Sequence, residues 1–194
     1  MNGKDYIATY DLEGVSMGYI PGSENILFIK TGQGGSIYGY ENKYLYLAWA
    51  IREKYGFSVL VSSTTDDASK EYDIDMLVLN KIFVNQSYQI YYLGVSKGGL
   101  VGIWRGGENS NIKRMVAINP PLMINYHSKT RPALDKLGSK LTIVIGSLDP
   151  SYDYVPFAKG HTHIEVLMGA DHNLVGSPRS LLEIVEKYLI NNDE

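Results

Sequence analysis

Hydrophobic residues along this chain fall into short continuous runs, at 6–10, 15–20, 26–29, 57–61, 90–93, 115–118, 141–145 and 164–168. Each run is brief and rich in β-branched residues, which predicts a strand and not a helix. From the third onward the runs lack alternating polar positions, as expected of strands covered on both faces. Asp11-Leu12-Glu13-Gly14, between the first two, predicts a tight turn joining an antiparallel hairpin. Between the runs, apolar residues return at helical spacing. One stripe is Tyr44, Leu47, Ala48, Ile51 and Tyr55, stopped by Gly56. A second is Ile74, Leu77, Val78, Ile82 and Phe83, and a third helix is predicted over 96–105. A last helix, with Leu181, Leu182, Val185, Tyr188 and Leu189 inward, is predicted to start at Ser177-Pro178, a hydroxyl cap followed by a proline.

Strand and helix alternating in this way predict an α/β fold. The expected architecture is a mostly parallel central sheet of about eight strands, with an N-terminal antiparallel hairpin and helices on both faces. The chain has 194 residues and no internal repeat or linker, so a single domain over 1–194 with a full apolar core is expected.

Composition narrows the partners. A net charge of −3 gives no electrostatic footprint for nucleic acid or anionic membrane, and neither is expected as a partner. The absence of cysteine excludes disulfides, thiolate zinc sites and a cysteine nucleophile. Neither a signal-peptide pattern nor an apolar stretch of ~18 residues is present, so a cytoplasmic location is expected. A homo-oligomer is neither indicated nor excluded. The 16 tyrosines read as half-buried packing residues and not as a stacking platform.

The most informative stretch is Leu93-Gly94-Val95-Ser96-Lys97-Gly98-Gly99, a G-x-S-x-G pattern set directly after an apolar run and before a helix. A strand turning this sharply into a helix crowds its flanks, so side chains at Gly94 and Gly98 would collide with neighbouring strands. Gly99 and Gly102 let the helix approach the sheet. Ser96 is expected in a strained conformation at a helix N-terminus, where dipole and free N–H groups favour a developing oxyanion. Downstream, Asp149 lies just past the run 141–145, and His172 follows the run 164–168. Both fall at the sheet edge where Ser96 is expected.

The order Ser96, Asp149, His172, with Gly146-Ser147-Leu148-Asp149 and Gly169-Ala170-Asp171-His172 as acid and histidine segments, resembles the α/β-hydrolase superfamily over nearly the whole chain. The resemblance implies Ser96 as nucleophile, His172 as general base and then acid, and Asp149 as the acid that orients the ring. It further implies a serine hydrolase acting on a small ester or thioester, with no cofactor or metal. Asp153 and Asp171 are alternative acids. The second oxyanion donor is expected from Thr31-Gly32-Gln33-Gly34-Gly35-Ser36, and the hole is assigned to the backbone N–H groups of Gln33 and Lys97. Thr31-Gly32 stands where the family often has His-Gly. Only about twenty residues separate Asn119 from the run at 141, too few for a cap domain, so an open cleft is expected.

Several competing readings are weaker. The segment 31–36 as a phosphate loop lacks both a dinucleotide fingerprint and a Walker motif. His161-Thr162-His163 as a metal pair lacks the continuation a metallo-hydrolase needs. The Lys97 side chain is either solvated or a charge favouring an anionic substrate. Tyr38, Tyr40, Tyr126 and Tyr152 are candidate cleft walls. A non-catalytic binding module on the same fold is the alternative function.

Overall fold

In the computed structural model, which describes residues 4–65, 68–177 and 179–191, eight strands form one sheet in the order β1-β2-β4-β3-β5-β6-β7-β8. They are β1 (Ala8–Leu12), β2 (Val15–Ile20), β3 (Ser23–Gln33), β4 (Phe57–Thr64), β5 (Gln89–Val95), β6 (Ile112–Ile118), β7 (Leu141–Gly146) and β8 (His163–Leu167). β1 pairs antiparallel with β2 and β2 with β4, and every later pairing is parallel. The helices are α1 (Lys43–Tyr55), α2 (Ala68–Ile82), α3 (Lys97–Gly106), α4 (Arg131–Leu137), α5 (Val155–Ala158) and α6 (Leu181–Val185), the last continued by a π-helical turn at Glu186–Ile190.

The continuous apolar runs have a direct cause. Alternate residues of a strand face opposite sides of the sheet, and here each side carries its own core. Phe28, Ile90, Tyr92 and Ile143 join one core with Val78, Leu79, Val101 and Ile103 of α2 and α3. Leu27, Ile29, Leu93 and Val144 join the other with Leu47, Ile51, Ile184 and Val185 of α1 and α6. The two cores fix every parallel strand in register, and the carboxyl ends of β3, β5, β6 and β7 emerge along one edge.

Four sequence expectations need correction. The hairpin turn is the pair Glu13-Gly14, both at positive φ, because Leu12 still pairs with Val15. Such a two-residue turn matches the twist of its strands. The predicted loop at 31–36 begins inside β3, which runs to Gln33 and pairs that residue with Thr64. Leu77, expected inward, is 46% exposed, while Glu71 and Asp75 of the same helix are buried against Lys30 of β3. The last helix is capped by Ser180, not Ser177. Ser180 accepts from the Glu183 N–H, and Glu183 closes a reciprocal capping box. Pro178 lies outside the described residues.

Candidate active site

β5 ends at Val95 and α3 begins at Lys97, so the turn between them has a single residue, Ser96. Its backbone sits at φ 51° and ψ −120°, outside the regions open to an L-residue without strain. The Ser96 N–H donates to Ile118 O at 2.8 Å and Ser96 O accepts from Leu100 N at 3.1 Å, so sheet and helix hold the turn from both sides. The flanking glycines are needed for space. A Cβ on Gly98 would lie 2.4 Å from Thr31 O and 2.5 Å from Lys30 O, both on β3. One on Gly94 would lie 2.5 Å from Gly99 Cα. The obstacle for Gly94 is thus helix α3 and not a neighbouring strand.

Ser96 Oγ lies 3.0 Å from His172 Nε2. The other ring nitrogen, Nδ1, contacts Asp149 Oδ2 in a short hydrogen bond. Asp149 is set by its own backbone: Oδ1 accepts from Ser151 N at 2.7 Å, capping the 3₁₀ turn Pro150–Tyr154. Its side chain is 1% exposed while that of His172 is 45% exposed. The acid is therefore dry and the ring reachable. The other two candidate acids are elsewhere. Asp153 is exposed, and Asp171 accepts from Asn173 N and Val175 N at 2.9 Å each, within its own turn.

Asn119, fully buried and at φ 46°, was missed by sequence reasoning. It follows β6 directly. Its Oδ1 accepts from Gly146 N at 2.8 Å, at the end of the strand leading to Asp149. Its Nδ2 donates to His172 O at 2.8 Å and to Asp171 O at 3.2 Å. One amide thereby ties the acid strand to the histidine loop. The available signal was a polar residue between a buried apolar run and Pro120-Pro121.

Ser96 and His172 open into a cleft of about 630 Å³ lined also by Gln33, Tyr40, Lys43, Tyr44 and Arg179. Across Ser96 stands Gly32, where a Cβ would lie 3.4 Å from Ser96 Cβ. The Gly34 and Gly35 amides are bonded to Thr64 O (2.8 Å) and Gly32 O (2.9 Å), which removes them as donors to a bound oxygen. Lys97 is the first residue of α3, where a backbone N–H has no intrahelical acceptor. Its ammonium is turned to Thr65 O at 3.1 Å. Of the four tyrosines expected as walls, Tyr40 lines the cleft. Tyr126 instead packs against Tyr154, and Tyr38 against Tyr6. The two histidines of the His161-Thr162-His163 segment part company: His161 bonds to Asp135, and His163 packs on Tyr188. Among the described residues no cluster of three metal-ligating side chains occurs, and no helix is long and apolar enough to cross a membrane.

No protein-family model matches the sequence, and no curated protein sequence matches it. Solved structures do. Est1E from Butyrivibrio proteoclasticus superposes with a TM-score of 0.71 at 16% identity, covering 95% of this chain and 96% of that one. The esterase Pf2001 of Pyrococcus furiosus gives 0.68 at 16% identity over 96% and 92%. XC6422 from Xanthomonas campestris, described as an α/β serine hydrolase without a lid, gives 0.63 at 13% identity over 91% and 89%. Here the connection from β6 to β7 likewise holds only a π-helical turn, α4 and a 3₁₀ turn at Gly138–Lys140. The strand order, the serine at the single-residue turn after β5 and these end-to-end superpositions identify the chain as an α/β-hydrolase fold without a lid.

Proposed function

We propose that this protein is a serine hydrolase that cleaves a small ester or thioester through an acyl-enzyme. The observation that carries the reading is the continuous chain Ser96 Oγ to His172 Nε2 (3.0 Å), then His172 Nδ1 to buried Asp149, at the floor of an open cleft. Ser96 Oγ attacks the acyl carbon as its proton passes to His172 Nε2. Asp149 keeps Nδ1 protonated, so that Nε2 is the basic nitrogen. The carbonyl oxygen, now negative, takes hydrogen bonds from the Gln33 and Lys97 amides, a stabilisation worth ~3–4 kcal/mol per donor in a dry site. Collapse breaks the bond to the leaving alcohol or thiol, which takes its proton from His172. Water then repeats the sequence on the acyl-enzyme and frees Ser96.

The resting positions favour this sequence of steps. Ser96 is lifted off the sheet by its strained backbone, and His172 is exposed enough to pass a proton to a leaving group in the cleft. The lidless opening suits small soluble esters, and two of the structural neighbours are described as esterases or serine hydrolases.

The test is labelling with a fluorophosphonate, followed by mass spectrometry of the adduct. Stoichiometric modification at Ser96, lost in Ser96→Ala, is expected, together with turnover of short-chain 4-nitrophenyl esters. Folded protein that neither labels nor turns over any ester would overturn the hydrolase reading and favour a binding module.

A further inference from the structure

The cleft beside Ser96 is electrostatically one-sided: it presents Lys43 and Arg179, and among the described residues no aspartate or glutamate lines it. The two cations are not equivalent. Arg179 is neutralised, with Nη1 2.9 Å from Glu165 Oε1 and 3.1 Å from the Tyr188 hydroxyl. Among the described residues the Lys43 ammonium has no carboxylate and no hydrogen-bond partner; its one contact is the face of Tyr44, 5.1 Å from the ring centroid. Lys43 is exposed on the cleft, and partial desolvation holds its pKa below the ordinary lysine value. A cation in that position gains a charge-assisted hydrogen bond from an incoming anion.

The backbone around Lys43 is built to hold it there. Gly39, Glu41 and Asn42 all have positive φ (69°, 52° and 59°), two of them without the licence glycine has. These left-handed residues lead into the start of α1 beside the cleft, and such outliers gather where a site must be held in place. The stem of Lys43 lies against Gly39, where a Cβ would come within 3.0 Å of Lys43 Cγ and 2.7 Å of the Tyr44 ring. The amides of Lys43 and Tyr44 are already bonded to Tyr40 O and Tyr38 O, so the available positive charge is the side chain's.

We propose that Lys43 selects esters bearing a carboxylate, by pairing its ammonium with that carboxylate while the ester carbonyl sits at Ser96. This rests on the hydrolase reading and names its substrate class. One compact ammonium matches a singly charged carboxylate; a dianionic phosphate is better served by a guanidinium fork, and the nearby guanidinium is engaged by Glu165.

Two matched pairs of substrates test it and locate the charge. On the acyl side the pair is the 4-methylumbelliferyl monoester of adipic acid and its methyl ester. On the alcohol side it is 4-acetoxybenzoate and methyl 4-acetoxybenzoate. The readout is the ratio of kcat/KM within a pair, which cancels any general damage to the cleft. Wild-type protein is expected to prefer the anionic member of at least one pair by about tenfold or more. Lys43→Met should abolish that preference through KM, Lys43→Arg should retain most of it, and Lys43→Glu should reverse it. Equal ratios in wild type and Lys43→Met would overturn the proposal while leaving the hydrolase reading intact. If fluorophosphonate fails to label Ser96 and no ester turns over, the hydrolase reading has failed instead. Calorimetric binding of the same four compounds to Ser96→Ala then decides the Lys43 pairing alone, since anion-selective binding lost in the added Lys43→Met would support it and its absence would refute it.

Discussion

Asn119 offers the sharpest test of how this fold holds its site. Replacing it with alanine removes one acceptor and two donations at once: from Gly146 N, and to His172 O and Asp171 O. The costs differ by environment. Gly146 lies in the fully buried β7, so its stranded N–H bears the full desolvation penalty, about 2 kcal/mol. His172 and Asp171 belong to a solvent-facing loop, and their carbonyls can recruit water, which reduces each loss to about 0.5 kcal/mol. Alanine at φ 46° adds about 1 kcal/mol, because asparagine tolerates the left-handed region better. The expected destabilisation is therefore about 4 kcal/mol, a fall in Tm on the order of 10 °C for a chain of this size.

The catalytic consequence is separate. A histidine loop freed from β6 and β7 lets the imidazole drift from Ser96 Oγ, and a displacement of ~1 Å at reacting groups can cost ~100-fold in rate. Asn119→Gly divides the two causes, since it restores the backbone freedom and not the hydrogen bonds. It should recover about 1 kcal/mol of stability over Asn119→Ala and none of the lost kcat. The assay is thermal unfolding alongside kcat on a short-chain ester and the rate of fluorophosphonate labelling. A variant that melts about 10 °C lower yet keeps kcat and labelling within twofold would refute the link between Asn119 and the histidine. One with an unchanged Tm would refute the energetic reasoning itself.

Asp149→Asn should lower kcat by about 10⁴-fold with little change in Tm, because an amide oxygen can still accept from Ser151 N; activity near wild type would remove Asp149 from the mechanism. Gly98→Ala places a methyl 2.4 Å from Thr31 O, a backbone atom that cannot step aside, and should cost more than about 2 kcal/mol along with most of the activity. Asp75 gives a pH signature. Burial raises its pKa from 3.8 to about 6, despite Lys30 beside it. The folded state thus holds a proton the unfolded chain has released, and stability contributed by Asp75 is present below pH ~4 and lost as pH rises through ~6, by roughly 3 kcal/mol in all. Asp75→Asn should therefore compare more favourably with wild type at pH 7.5 than at pH 4.5 in urea unfolding; a difference independent of pH would contradict the shift.

Much of the architecture was legible because of one physical circumstance. Strands covered on both faces carry unbroken apolar runs, and turns at the carboxyl edge carry the polar residues, so Ser96, Asp149 and His172 could be placed on one edge before any contact was known. What escaped the reading was polarity placed inside. Glu71 and Asp75 sit four apart on α2, a spacing common to solvated faces, but Lys30 of β3, itself buried, draws them inward at 3.1 and 3.0 Å. Leu77 then takes the exposed position expected of a charge. Ser180 and Glu183 carry a capping-box pattern, three residues beyond the hydroxyl–proline pair from which the helix start is predicted. Asn119 left only the faint trace of a polar residue between an apolar run and two prolines, and Lys43 left none. Each matters through partners far away in sequence, and a lone amide after a strand or a lone lysine at a helix start resembles ordinary surface.

These hidden polar groups share a geometry that bears on the proposed catalysis. Ser96 stands between β3 and β6, and each neighbour is anchored by a buried polar node instead of by side-chain packing alone. On the β6 side the node is Asn119. On the β3 side, Thr31 Oγ1 accepts from Thr64 N and donates to Gly35 O, while Thr64 Oγ1 donates to Thr31 O. Thr65, next along, gives both its N–H and its hydroxyl to Glu71, which is paired with Lys30, and its carbonyl takes the Lys97 ammonium. The segment carrying Gln33 is thus bonded to the end of β4, and β4 to a buried ion cluster and to the helix that starts directly after Ser96. Apolar contacts tolerate sliding, whereas a hydrogen bond loses most of its strength within a few tenths of an ångström or a few tens of degrees. In the proposed mechanism the oxyanion donors must be fixed before charge develops, and hydrogen-bonded nodes on both flanks would provide that rigidity where the lidless cleft leaves the site open to water. Loosening either node should therefore depress kcat more than it raises KM, whichever flank is chosen.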